Sequence, residues 1–151
     1  MFVTKSFTFE AAHRLLYDNG LCQNIHGHSY RVEVCLQGRK HDSDGKVICF
    51  KEMNQIIKTW IDEHWDHAII LNSADWACIE FMCANNQRLF VFDDVEPTAE
   101  NMAEFLSQQF KVQLYNDHRV NVHLVRVWET PTCCATWTAT DTSETEERIG
   151  H

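Results

Sequence analysis

No apolar run in the 151-residue sequence reaches the roughly 18 residues that a membrane-crossing helix needs, so a helical span is excluded. Positive charge is also scarce. Thirteen Lys and Arg stand against 22 Asp and Glu, a formal net charge of −9 at pH 7. Broad nucleic-acid and anionic-membrane surfaces require clustered basic side chains, so small molecules or proteins are the expected partners. There is no Cys-x-x-Cys pair, and the seven cysteines are odd in number and irregular in spacing. That argues against a disulfide framework and for reduced thiols. No internal repeat or low-complexity linker divides the chain, which reads as one domain over residues 1–140 followed by a polar tail, 141–151. The opening stretch MFVTKSFTFEAAH has neither the apolar segment nor the cleavage site of a secretory leader, so the expected compartment is the cytoplasm.

The hydrophobic pattern supplies the elements. Phe7, Phe9, Ala11 and His13 alternate with Thr8, Glu10 and Ala12, the period-2 signature of a strand with one face inward. A second alternation runs through His26, His28, Tyr30, Val32, Val34 and Leu36. Ser43-Asp44-Gly45 signals a turn, and KVICF after it reads as a short return strand, giving a hairpin. Apolar residues at Ile56, Ile57, Trp60 and Ile61 predict an amphipathic helix over about residues 51–64. Trp76, Ile79, Met82 and Cys83 suggest a shorter helix, and RLFVF a short strand. Thr98 is a suitable N-cap for a helix carrying Met102, Phe105, Leu106 and Phe110 on one face. A strand from Val120 to about Glu129 and a partner in CATWTAT complete the pattern. The expected class is α+β, with a four-stranded antiparallel sheet covered on one face by two main helices.

The chemistry concentrates in CQNIHGHSY, residues 22–30. Residues i and i+2 of a strand project on one side, so His26 and His28 can reach a single ion, and Gly27 keeps the backbone between them uncrowded. If the strand ending at His13 pairs with this one, three imidazoles converge. Three histidines with an open fourth position describe catalytic rather than structural zinc. A bare His-x-His is by itself more often a polar turn, and His13 at the end of an alternating strand is what shifts the reading toward metal. Cys22 has two roles open to it: a fourth ligand that closes the shell, or a base, since nearby positive charge lowers a thiol's pKa from about 8.5. Cys35, Cys49, Cys78 and Cys83 read as small apolar packing residues, and the adjacent Cys133-Cys134 leaves redox chemistry as a minor alternative to reduced thiols.

FEAAHR, then CxxxHGHSY, WDHAIILN, PTAEN and VWET, in that order, resemble the pterin synthases that include 6-pyruvoyltetrahydropterin synthase and 6-carboxytetrahydropterin synthase. The resemblance runs from about residue 5 to residue 138, and the three-residue gap from Cys22 to His26 is similar to the carboxy-forming branch. It implies the tunnelling fold, in which sheets of several subunits join into a barrel, and hence a homo-oligomer, by resemblance a hexamer. It also implies zinc held by His13, His26 and His28, with Cys22 as proton-abstracting thiol and Asp66-His67 as a proton relay. Glu129 would anchor the pterin, with Thr98 and Thr130 as secondary ring contacts, and Arg14 is a candidate counter-charge for a triphosphate. The implied substrate is 7,8-dihydroneopterin triphosphate. The product would be 6-carboxytetrahydropterin, on the way to queuosine and other 7-deazapurines, with the 6-pyruvoyl product or a noncatalytic zinc and pterin-binding role as alternatives. Cys49 and the long 73–96 segment depart from the family pattern, the latter at the pocket rim or a subunit contact.

Overall fold

Phe7, Phe9 and Ala11 are buried on one side of the first strand while Thr8 and Glu10 are exposed on the other, as the alternation requires. The computed structural model describes residues 1–115 and 119–139. Strand β1 (Phe2–His13) pairs antiparallel with β2 (His26–Gly38) in a register from Phe2 opposite Gln37 to His13 opposite His26. The pairing holds two of the histidines side by side at one end of the sheet. A slip of one residue would turn one of them to the other face. The far edge of β2 pairs antiparallel with β5 (Val120–Thr130), and β5 with β6 (Cys133–Thr138).

The sheet has six strands in the order β4-β3-β1-β2-β5-β6, two more than the four-stranded sheet expected, and the short strand read in RLFVF is present as β4. Strands β3 (Ala68–Asn72) and β4 (Leu89–Phe92) add in parallel, β3 against β1 and β4 against β3. Strand β3 escaped the alternation test because all five of its residues are buried. Ile70 faces the main core, whereas Ile69 and Leu71 pack with Cys78 on the opposite side, so the strand reads as an unbroken apolar run. The KVICF return strand is a second correction. Both edges of β2 are already taken, by β1 and β5, so this segment has no place in the ladder. Val47 and Ile48 instead tuck into the core before a helix starts at Phe50. The turn ahead of it is present, with Gly45 at φ 71° where glycine is favoured.

The predicted 51–64 helix is a continuous helical stretch built from α1 (Phe50–Met53), a π-helical turn (Asn54–Lys58) and α2 (Thr59–His64). Its buried stripe is Met53, Ile57, Trp60 and Ile61. Helix α4 (Ala99–Gln113) starts at Thr98, whose Oγ1 accepts a hydrogen bond from the Asn101 N–H at 3.3 Å, and it buries Met102, Leu106 and Phe110 completely. These helices cover one face. Helix α3 (Trp76–Ala84) lies on the other, over Ile69 and Leu71, so the expectation of a sheet covered on one face only is corrected at the β3 edge. Among the described residues no helix is long and apolar enough to cross a membrane. The 141–151 tail lies outside the described residues.

Burial on both faces makes β3 sensitive at consecutive positions. Ile70→Ala and Leu71→Ala should each cost about 2–5 kcal/mol in denaturant unfolding. A near-neutral result for either would mean that one face of β3 is open to solvent.

Candidate metal centre

His13, His26 and His28 stand at one end of the β1–β2 pair, and one ring nitrogen from each lies within 4.8 Å of the other two. Their tautomers follow from their neighbours. His13 Nδ1 is 2.8 Å from the carbonyl of Pro97, and His26 Nδ1 is 2.7 Å from the carbonyl of Asn24. A carbonyl only accepts, so both Nδ1 atoms carry a proton, and in the neutral rings both Nε2 atoms are bare. Those two Nε2 atoms face each other at 3.1 Å. Lone pair opposes lone pair unless a cation lies between them. Nitrogens on a tetrahedral zinc ion are roughly 3.3 Å apart, so the spacing suits shared coordination. His28 Nε2 is buried without any hydrogen-bond partner, an orphaned donor atom that fits a metal-ligand role.

Burial keeps the His13 ring neutral. His13 is 1% exposed, and its pKa is lowered from 6.5 to about 4, mainly by burial and further by the charges that His26 and His28 would carry, although the Pro97 carbonyl pulls the other way. Tyr30, fully buried, sets its ring edge-on to both His13 and His28. A half-buried carboxylate completes the neighbourhood: Glu129 Oε1 is 3.9 Å from His13 Nε2. Glu129 also lines a cleft of about 320 Å³ with Leu15, Thr98 and Cys133, between the N-terminus of α4 and the β5–β6 turn. Thr130 is occupied in that turn, its Oγ1 accepting from the Cys133 N–H at 3.1 Å.

Other candidate residues lie elsewhere. Cys22 is exposed on the 3₁₀ turn Leu21–Gln23, and it is not part of the ligand set that the three histidines form. The Asp66–His67 pair is formed, with His67 Nδ1 at 2.8 Å from Asp66 Oδ2. Burial works against the Asp66 carboxylate, but the Glu10 N–H at 2.9 Å and His67 outweigh it and hold the carboxyl below its usual range. His67 borders a second cleft of about 500 Å³ with Glu10, Ser29 and Arg88. Glu10 and Ser29 are opposite each other and alternate with the inward Ala11 and His28, so this cleft is on the sheet face away from the imidazoles. Arg14 Nε pairs with the buried Asp75 at 3.0 Å, which neutralises much of the charge expected to meet a triphosphate.

Sequence reasoning missed the orienting groups. The carbonyls of Pro97 and Asn24 fix two imidazoles, and a backbone carbonyl leaves no side-chain signature. Glu96 was also missed; its carboxylate accepts from the N–H groups of Leu16 at 3.0 Å and Tyr17 at 2.9 Å. The only signal available was its place beside the PTAEN motif.

A model of the 6-pyruvoyl tetrahydropterin synthase family matches residues 2–140. The chain is 32% identical over 131 residues to the 6-carboxy-5,6,7,8-tetrahydropterin synthase of Rickettsia conorii, covering 86% of this chain and 94% of that one. It is also 32% identical over 136 residues to the enzyme of the same name from Haemophilus influenzae, covering 86% and 93%. Among solved structures, an uncharacterised protein of Wolinella succinogenes superposes with a TM-score of 0.79 at 23% identity, covering 92% of this chain and 98% of that one. The 6-pyruvoyl tetrahydropterin synthase of Caenorhabditis elegans does so with a TM-score of 0.68 at 23% identity, covering 92% and 95%. The chain belongs to the 6-pyruvoyl tetrahydropterin synthase family, a family of lyase-type enzymes.

Elemental analysis should find one zinc per chain after reconstitution, and His26→Ala should weaken metal affinity at least about 100-fold while leaving the fold intact. In metal-free protein His13 sets a pH dependence. Its folded pKa lies below the unfolded value, so its contribution is complete above about pH 6.5 and is lost as pH falls toward 4, where the unfolded chain binds the proton that the buried ring refuses. Thermal melts across that window should show the decline, and His13→Gln should flatten it.

Proposed function

We propose that this protein is a zinc-dependent lyase that converts 7,8-dihydroneopterin triphosphate, with one water, into 6-carboxy-5,6,7,8-tetrahydropterin, acetaldehyde and triphosphate. The reaction would serve queuosine and related 7-deazapurine synthesis. The observation that carries the reading is the set of three converging imidazole nitrogens beside a cleft containing Glu129. The names of the relatives from Rickettsia conorii and Haemophilus influenzae support the carboxy-forming product.

His13, His26 and His28 would hold the zinc, which when bound supplies Lewis-acid polarisation of the substrate's side-chain hydroxyls and acidifies the neighbouring C–H. Glu129 accepts paired hydrogen bonds from the pterin amino group and adjacent ring N–H, which fixes the ring in the cleft. Thr98, on the cleft wall, and Thr130, in the adjoining turn, contribute secondary ring contacts. Cys22, carried on the loop between the two ligand-bearing strands, takes the proton from the side-chain carbon as thiolate. Asp66 and His67 relay that proton. They lie on the opposite face of the sheet, so in this reading they would act on a Cys22 supplied by a second copy in a homo-oligomer, a hexamer by family resemblance. Arg14 is a weak choice for the triphosphate because Asp75 already pairs with it.

A second reading keeps zinc and cleft but eliminates triphosphate to give the 6-pyruvoyl product. A Drosophila melanogaster relative 27% identical over 142 residues is named 6-pyruvoyl tetrahydrobiopterin synthase. A noncatalytic zinc or pterin-binding protein would need Cys22 to close the metal shell, and the separation of Cys22 from the ligand set speaks against it. Zinc-loaded protein incubated with dihydroneopterin triphosphate should yield acetaldehyde and the 6-carboxy mass. Cys22→Ala should cut turnover about 10²- to 10⁴-fold with zinc retained. Release of triphosphate without acetaldehyde would favour the pyruvoyl reading, and loss of zinc from the variant would make Cys22 a ligand.

A further inference from the structure

We propose that Glu96 is a positioning residue that holds the Cys22 loop in its working place, an inference that rests on the reading of Cys22 as base. The loop joining β1 to β2 spans residues 14–25 and has little regular structure apart from the turn Leu21–Gln23. Hydrogen bonds within the loop, such as Asp18 N–H to the Leu15 carbonyl at 3.2 Å and Gly20 N–H to the Asp18 carboxylate at 2.7 Å, shape its turns but do not tie them to the start of α4. Leu15 N–H donates to the Cys22 carbonyl at 2.9 Å, so the backbone of Cys22 is located relative to Leu15. The next two residues, Leu16 and Tyr17, give their N–H groups to the two oxygens of one carboxylate, Glu96, at 3.0 and 2.9 Å. These bonds cross about eighty positions of sequence and are charge-assisted, the stronger kind of backbone hydrogen bond.

Glu96 is itself held. Its carbonyl accepts from the Asn101 side chain at 2.9 Å and from the Thr98 N–H at 2.8 Å, at the start of α4. The neighbouring Pro97 carbonyl orients His13, and Thr98 caps the helix. Three consecutive residues therefore refer the loop, one imidazole and the helix start to the same stretch of backbone. Leu15, beside the clamped pair, lines the cleft that contains Glu129. A loop released from Glu96 moves both a wall of that cleft and the thiol, while His13 keeps its Pro97 carbonyl and His26 keeps the Asn24 carbonyl at the end of the loop that runs into β2, seven residues beyond the clamped pair. Misplacement of a reacting group by about 1 Å can cost on the order of 100-fold in rate.

The test compares wild type with Glu96→Ala and Glu96→Gln, the second retaining one carbonyl oxygen as acceptor in case the first fails to fold. Amide exchange is measured on metal-free protein. Zinc content, alkylation of Cys22 by iodoacetamide with and without biopterin, and kcat and KM on dihydroneopterin triphosphate are measured on zinc-loaded protein. The clamp predicts equimolar zinc throughout, and exchange at Leu16 and Tyr17 at least about 10-fold faster in Glu96→Ala. It also predicts that biopterin's protection of Cys22 drops from about 10-fold to under about 2-fold. The kcat falls about 10- to 100-fold with a smaller change in KM, and Glu96→Gln is intermediate. Zinc lost from both variants, or Cys22 protection and kcat unchanged in both, overturns the proposal. If wild type gives no turnover while the exchange and protection results hold, the clamp stands and the assigned reaction is what fails.

Discussion

Two imidazole nitrogens, one on the buried His13 and one on the half-buried His26, facing each other at 3.1 Å form the constraint around which this end of the molecule is organised. The arrangement is unfavourable as it stands. In the neutral rings each Nδ1 proton is committed to a backbone carbonyl on the far side, so neither neutral ring can donate to the other. Protonating the more buried ring would add desolvation cost, which is why the His13 pKa is driven down. A divalent cation between them would remove the conflict and also satisfy the orphaned nitrogen of His28.

The rest of the fold supplies what that constraint needs. Antiparallel pairing of β1 with β2 puts His13 opposite His26, and strand alternation brings His28 to the same face. Interlocking side chains of β1, β2, β5, α2 and α4 hold the register, with Phe9 stacked on Tyr30 and Tyr30 against two of the histidines. The start of α4 then brings in the Pro97 carbonyl, and the end of β5 brings in Glu129. Stability and function share these contacts: the core residues that fix the sheet also fix the donor atoms.

Much of this was legible in the sequence because it rests on side-chain periodicity. Alternation located β1 and β2, three- and four-residue spacing located the helical stretch after Phe50, and Thr98 marked the start of α4. His26 and His28 were recoverable since strand parity puts them on one face, and His13 joins them through the pairing of β1 with β2. Strand β3 was not, because burial on both faces erases the alternation, and KVICF misled because its apolar residues serve the core from an irregular segment. In the site, the unreadable parts were tertiary. Nothing local ties Glu96 to Leu16, places Asp66–His67 on the far face of the sheet, or commits Arg14 to Asp75.

The most direct test of the central claim is X-ray absorption at the zinc edge of the reconstituted protein. Three histidine nitrogens and one oxygen at about 2.0–2.1 Å, with no sulfur, are what the facing imidazoles require. A sulfur shell at about 2.3 Å would place a cysteine on the metal, and a spectrum without imidazole scattering would remove the metal from these histidines altogether.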